Sequence, residues 1–223
     1  MAARRQQRSA DREAGVELRV LDERQMRFES RDGMVLEAML HVPPQPSLAA
    51  LVMHPHPQYG GDMDNHVVLA MRDAMAAAGA ATLRFNVRGA GASSGSFDPV
   101  FAGDDAISAL GALTKALPAL PIVLAGYSYG AQLAAGLAVA RPVTTLILVS
   151  PPLAYAPLPV LPASLRILAI AGDADPVCPP DRLRTLTASG ADVRVVPGVD
   201  HGWSFATDVL SVAMRTFCED AHT

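Results

Sequence analysis

The chain has 223 residues, half of them apolar, a formal net charge of −4 and two cysteines. That length suits one α/β sheet domain with a sizeable core, and the near-neutral charge gives no reason to expect nucleic acid or an anionic membrane as partner. Cys178 and Cys218 form no spacing motif and read as reduced thiols rather than a disulfide scaffold.

Residues 1–20 are basic and polar and read as a flexible leader without the apolar core of a signal peptide. No uninterrupted apolar stretch reaches the about 20 residues that a membrane span needs, so a cytoplasmic protein is expected. Residues 21–223 read as one domain. Strand-like runs fall near 25–30, 34–42, 48–54, 80–86, 121–126, 143–149, 165–171 and 192–196. Helical stretches fall near 65–78, 103–116, 130–140, 180–188 and 204–219, with Asp64 or Asn65 available to cap the first. The first two strands can pair antiparallel through Arg31-Asp32-Gly33. The rest alternate with helices, which predicts a mostly parallel sheet of about eight strands with helices on both faces. The proline-rich segment between the strands near 149 and 165 is too short for a large cap.

Gly126-Tyr127-Ser128-Tyr129-Gly130 lies between the apolar run Pro121–Ala125 and the alanine-rich helix former Ala131–Ala138. A G-x-S-x-G on a strand-to-helix turn is a nucleophile elbow. Glycine is needed on both sides because strand and helix pass close together. The turn strains the serine backbone and sets Oγ near a helix N-terminus, whose free N–H groups favour developing negative charge. The chain order Ser, acid, His then tests the motif. Of the two histidines after Ser128, His222 is next to the last residue, whereas His201 follows the late strand Asp192–Val196. Asp173 and Asp175 both sit in the turn after the strand Arg166–Ala171 and either could orient the imidazole. Asp200 adjoins His201, and adjacent side chains rarely face each other.

Further segments carry a resemblance. His54-Pro55-His56-Pro57-Gln58-Tyr59-Gly60-Gly61-Asp62-Met63-Asp64-Asn65, Leu83–Ser93, Gly172–Pro179 and Asp200-His201 resemble, in order, motifs of small bacterial α/β-hydrolases related to the dienelactone-hydrolase-like and acyl-esterase proteins. The resemblance spans roughly residues 25 to 218. It implies an α/β-hydrolase fold without a large cap, and it implies Asp175 as the triad acid. Two departures stand out. True dienelactone hydrolases use a cysteine where this chain has Ser128, and His54-Pro55 stands where many α/β-hydrolases have His-Gly.

The function expected is a serine hydrolase cleaving small carboxylic esters through an acyl-enzyme, with Ser128 as nucleophile, His201 as base and Asp175 as orienting acid. The backbone N–H groups of Tyr129 and His56 would form the oxyanion hole, because Pro55 and Pro57 have none. Tyr59, Leu153 and Trp203 are candidate pocket walls, although Trp203 reads equally well as packing. His54, His56, Asp62, Asp64 and His66 include metal-ligand types but fit no metal spacing, so no metal and no cofactor is expected. Arg84 and Arg88 could hold a substrate anion or brace loops, the commoner role. Partners are limited to a small ester substrate, with the chain a monomer or homodimer. Thioester or amide hydrolysis, and an idle scaffold used for binding, are the alternatives.

Overall fold

The computed structural model describes residues 21–220, so the expected leader at 1–20 and His222 lie outside the described residues. Eight strands form one sheet in the order β1-β2-β4-β3-β5-β6-β7-β8. These are β1 (Glu23–Glu29), β2 (Val35–His41), β3 (Leu48–Met53), β4 (Ala80–Phe85), β5 (Ile122–Tyr127), β6 (Thr145–Val149), β7 (Arg166–Gly172) and β8 (Asp192–Val196). β1 and β2 form the expected hairpin, in register from Glu23 opposite His41 to Glu29 opposite Val35. β2 also pairs antiparallel with β4, and every pair from β4 to β8 is parallel. The inner strands are buried from end to end in β3, β4, β5 and β6, which is why their sequences run apolar without alternation.

Helices cover both faces. α1 (His66–Ala77) and α5 (Thr207–Glu219) pack together over one, and Val67, Met71, Met75, Leu210 and Met214 bury against Val52, Val123, Ile147 and Ile170. α2 (Pro99–Ala116) and α3 (Tyr129–Ala140) cover the other, with α4 (Pro180–Arg184) at its end. Asn65 caps α1 by accepting the Val67 N–H at 2.9 Å. α2 begins at Pro99, ahead of the expected 103. Proline suits the first helical position, and Asp98 caps the turn by accepting the Val100 N–H at 2.9 Å. No helix among the described residues is long and apolar enough to cross a membrane.

The strand order positions the site. From β3 the chain moves outward to β4, whereas from β5 it moves the opposite way to β6. The carboxyl ends of β3 and β5, paired side by side at Met53 and Gly126, are therefore a topological switch point, where open α/β sheets leave a crevice for ligands. The connection 150–165 contains no helix or strand, so no large cap stands over that crevice.

Candidate active site

Ser128 follows β5 with φ 54° and ψ −118°, a left-handed conformation costing on the order of 1–3 kcal/mol for a non-glycine residue. Its N–H is held by the Val149 carbonyl at 2.9 Å. The flanking glycines have steric causes. A Cβ on Gly126 would stand 2.1 Å from the Gly130 oxygen, and one on Gly130 would stand 2.2 Å from the Met53 oxygen. Strand, helix and the end of β3 meet there with no room for a methyl group.

Three side chains from separate loops converge. Ser128 Oγ lies 3.0 Å from His201 Nε2, and His201 Nδ1 lies 2.9 Å from Asp175 Oδ2 and 3.0 Å from Oδ1. Asp175 is buried, and its Oδ1 also accepts the N–H groups of Val177 and Cys178, each at 2.9 Å. Burial pushes its carboxyl up, but the His201 bond, the Cys178 N–H and the Ser150 hydroxyl outweigh that and hold it below the usual range. It is therefore ionised at neutral pH. Asp173 does another job. Its Oδ1 accepts the Gly198 N–H at 2.6 Å and ties the end of β7 to the loop that carries His201.

The His201 loop is fixed from three directions. Tyr127 Oη donates to the His201 carbonyl at 2.7 Å, and His66 Nε2 to the Gly202 carbonyl at 2.8 Å. Trp203 Nε1 donates to Ser150 Oγ at 2.9 Å. Trp203 is 0% exposed and belongs to the α1/α5 core, so it is not a pocket wall. Its backbone has a positive φ of 56°, and the indole packs inside that core. Leu153, 6% exposed, packs into the opposite core, while Tyr59 stands out in solvent.

On the far side of Ser128, His54–Gly61 folds tightly. Tyr59 and Gly61 donate to the His56 carbonyl at 3.0 and 3.1 Å. A Cβ on Gly61 would meet the Pro55 oxygen at 2.2 Å. Buried His54 anchors the start of this loop: Nδ1 donates to the Pro55 carbonyl at 2.6 Å and Nε2 accepts the Val87 N–H at 3.2 Å. Burial lowers its pKa to about 4, so the imidazole is neutral. An unfolded histidine titrates near 6.5. Between pH 6.5 and 4 the unfolded chain binds the extra proton. Stability should fall with pH in that window by up to about 1.4 kcal/mol per unit. Urea midpoints measured across it should decline less steeply in His54→Gln than in wild type, and an equal decline would count against this assignment.

As the first residue of α3, Tyr129 has an N–H without an intrahelical acceptor. Neither it nor the His56 N–H enters a hydrogen bond among the described residues. The other polar residues of this region are occupied structurally. Asp64 pairs with Arg84, which also holds Glu23 at 2.9 Å and the Met63 carbonyl at 3.1 Å. Arg88 pairs with Asp105 and Asp32, each at 2.7 Å. Both arginines are loop braces, not free anion sites. No cluster of three His, Cys, Asp or Glu set to hold a metal occurs among the described residues. Sequence reasoning missed Phe97, whose ring packs on His56 and Tyr129, and nothing in its local sequence marks it.

The comparisons agree with this architecture. The chain is 31% identical over 183 residues to the uncharacterized protein RP471 of Rickettsia prowazekii, covering 75% of this chain and 77% of that protein. Among solved structures it is similar to ATU1826 of Agrobacterium tumefaciens, a protein of unknown function assigned provisionally to the α/β-hydrolases. That match has 30% identity and a TM-score of 0.80 over 89% of this chain and 94% of the other. It is also similar to XC6422 of Xanthomonas campestris, an α/β serine hydrolase without a lid, with 26% identity and a TM-score of 0.79 over 90% and 95% of the two chains. No family model matches. The chain belongs to the α/β-hydrolases.

Proposed function

We propose that the protein is a serine carboxylesterase acting on small esters, within the dienelactone-hydrolase-like and acyl-esterase group. The observation that carries this reading is the continuous relay Ser128 Oγ, His201 Nε2, His201 Nδ1, Asp175, with each link at 2.9–3.0 Å. Ser128 Oγ attacks the ester carbonyl carbon while His201 Nε2 takes its proton. Asp175, anionic and hydrogen-bonded to Nδ1–H, fixes the tautomer and stabilises the imidazolium. The His56 and Tyr129 N–H groups receive the oxyanion, a role worth about 3–4 kcal/mol per donor in measured cases. His201 returns the proton to the leaving alkoxide, and water repeats the sequence on the acyl-enzyme. A fluorophosphonate probe should label Ser128, as read by peptide mass spectrometry, and abolish hydrolysis of p-nitrophenyl acetate. The same activity should survive prolonged chelation, since His54, Asp64 and His66 are all engaged in structural bonds. Loss on chelation restored by zinc, or an unlabelled Ser128 in active protein, would defeat the reading.

The lack of a cap sets chain-length preference. Leu153 and Leu161 are buried in the core instead of lining a tunnel. Arg182 ties the segment down by donating to the Leu153 and Ala154 carbonyls at 2.5 and 3.1 Å. A long alkyl chain finds little to bury against, and each buried CH₂ is worth about 0.8 kcal/mol. kcat/KM for p-nitrophenyl esters should therefore peak at short acyl chains, without a jump when substrate passes its solubility limit. A maximum at long fatty acyl chains would point instead to a thioesterase or lipase-like enzyme.

A further inference from the structure

Next to the nucleophile, beginning at Tyr129, the residue after Ser128, stand rings that the proposed chemistry does not use. His56 and Tyr129, whose N–H groups are the candidate oxyanion donors, bring their rings to 4.8 Å between centroids. Phe97, from the loop between β4 and α2, meets both, at 4.7 Å from His56 and 5.8 Å from Tyr129. Tyr59 leans on His56 at 5.2 Å. All four distances lie within the range of favourable aromatic contact, about 4.5–7 Å. The His56 ring is further steadied by the Gln58 N–H, which Nδ1 accepts at 3.3 Å. Rings from separate loops thus converge beside the nucleophile.

Packing accounts for Phe97 under His56. It does not account for Tyr59, which is 90% exposed and so gains little from its own burial. An aromatic ring left in solvent at the rim of a ring cluster is a surface that a second flat group can cover. The surface is aromatic and its rings are uncharged. Burial holds the His56 imidazole below its ordinary range, hence neutral, and burial together with the Asp105 and Asp98 charges pushes the Tyr129 phenol up to about 12. The cations that could favour a carboxylate-bearing substrate, Arg84 and Arg88, are engaged with Glu23, Asp64, Asp32 and Asp105.

The direction of the substrate follows from the attack geometry. In the tetrahedral intermediate the leaving oxygen must face His201 Nε2, and the oxyanion must face the His56 and Tyr129 N–H groups. The acyl substituent takes the remaining direction, away from His201. We propose that His56, Tyr59, Phe97 and Tyr129 form an acyl subsite for a flat aromatic ring, so that esters of small aromatic acids are preferred to esters of short alkanoic acids. This rests on the ester-hydrolase reading above. It also fits an open, shallow site, because a ring needs one face to lie on and no tunnel.

The test is a ratio of ratios. kcat/KM is measured for ethyl phenylacetate and ethyl butanoate, which differ on the acyl side, and for benzyl acetate and butyl acetate, which differ on the alcohol side. Wild type, Tyr59→Leu and Phe97→Leu are compared; leucine keeps apolar area and removes the ring. The phenylacetate-to-butanoate ratio should fall about 3- to 10-fold in each variant, the worth of one aromatic pair. The benzyl-to-butyl ratio should not move. An unchanged acyl-side ratio in Tyr59→Leu, whose exposed position leaves folding unaffected, overturns the subsite while leaving the esterase intact. So does a fall confined to the alcohol side. If the protein hydrolyses none of these esters, the esterase reading fails separately. Calorimetric titration with the uncharged phenylacetamide then decides the subsite: binding to wild type that weakens in Tyr59→Leu supports it, and no binding to wild type, or binding unchanged in Tyr59→Leu, overturns it.

Discussion

Ester hydrolysis by Ser128→Ala is expected to fall by a factor on the order of 10⁵ or more in kcat, with His201→Ala close behind, because triad members act as a unit. The double variant should lose little beyond either single one. Both proteins should remain folded. Among the described residues Ser128 Oγ makes a bond only to His201, and alanine fits the same turn, although it keeps the strained φ of 54°. His201 is held in place by its own backbone carbonyl, which accepts from Tyr127, so its imidazole can be removed without freeing the loop. Thermal unfolding within a few degrees of wild type alongside lost turnover is the expected pair of results. Full activity in Ser128→Ala would end the proposal. Loss of activity accompanied by disappearance of the cooperative unfolding transition would show that the side chain supports the fold instead.

The fold was legible wherever local pattern and burial say the same thing. β3 to β7 are buried on both faces, so each appears in the sequence as an apolar run. Ser128 was legible because the elbow confines its constraints to five residues: two glycines that touch backbone and one strained serine between them. The start of α2 was hidden because Pro99 reads as a break until Asp98 is seen capping it. The antiparallel edge at β2 and β4 was also hidden, since their partnership joins residues such as Ala38 and Phe85 that are far apart in sequence. The roles of Arg84 and Arg88 depended on acids from other elements, Glu23 and Asp105 among them. The sequence left Trp203 open between pocket wall and packing for a similar reason: it stands near His201 in sequence, and only the fold shows its indole buried and bonded to Ser150. The ring cluster was the least legible feature, because His56 and Phe97 lie in two separate loops and Tyr129 at the start of α3, far apart in sequence and brought together only by the fold.

Asp175→Asn is expected to lower kcat by about 10⁴, and Asp173→Asn to leave it near wild type. The geometry gives the reason. Asp175 Oδ1 is held by the Val177 and Cys178 N–H groups, two donors that an asparagine must meet with its carbonyl oxygen. The amide NH₂ then occupies the place of Oδ2, which lies 2.9 Å from His201 Nδ1. A donor there forces Nδ1 to accept, which moves the imidazole proton to Nε2. The base then faces Ser128 Oγ with a proton already on it and cannot take another. The fold loses little, because every hydrogen bond in the turn keeps a partner. Asp173 faces the Gly198 N–H at 2.6 Å, and an asparagine carbonyl can accept that bond unchanged. The pH profile separates an orienting role from a structural one. Wild-type Asp175 is held below the usual carboxylate range, so it stays ionised, and keeps orienting the imidazole, down through mildly acidic pH. In Asp175→Asn the residual activity should rise steadily with pH as hydroxide substitutes for the missing base. A flat, merely scaled-down profile would show that Asp175 supports the loop instead of the imidazole. A larger loss in Asp173→Asn than in Asp175→Asn would reverse the assignment of the two carboxylates.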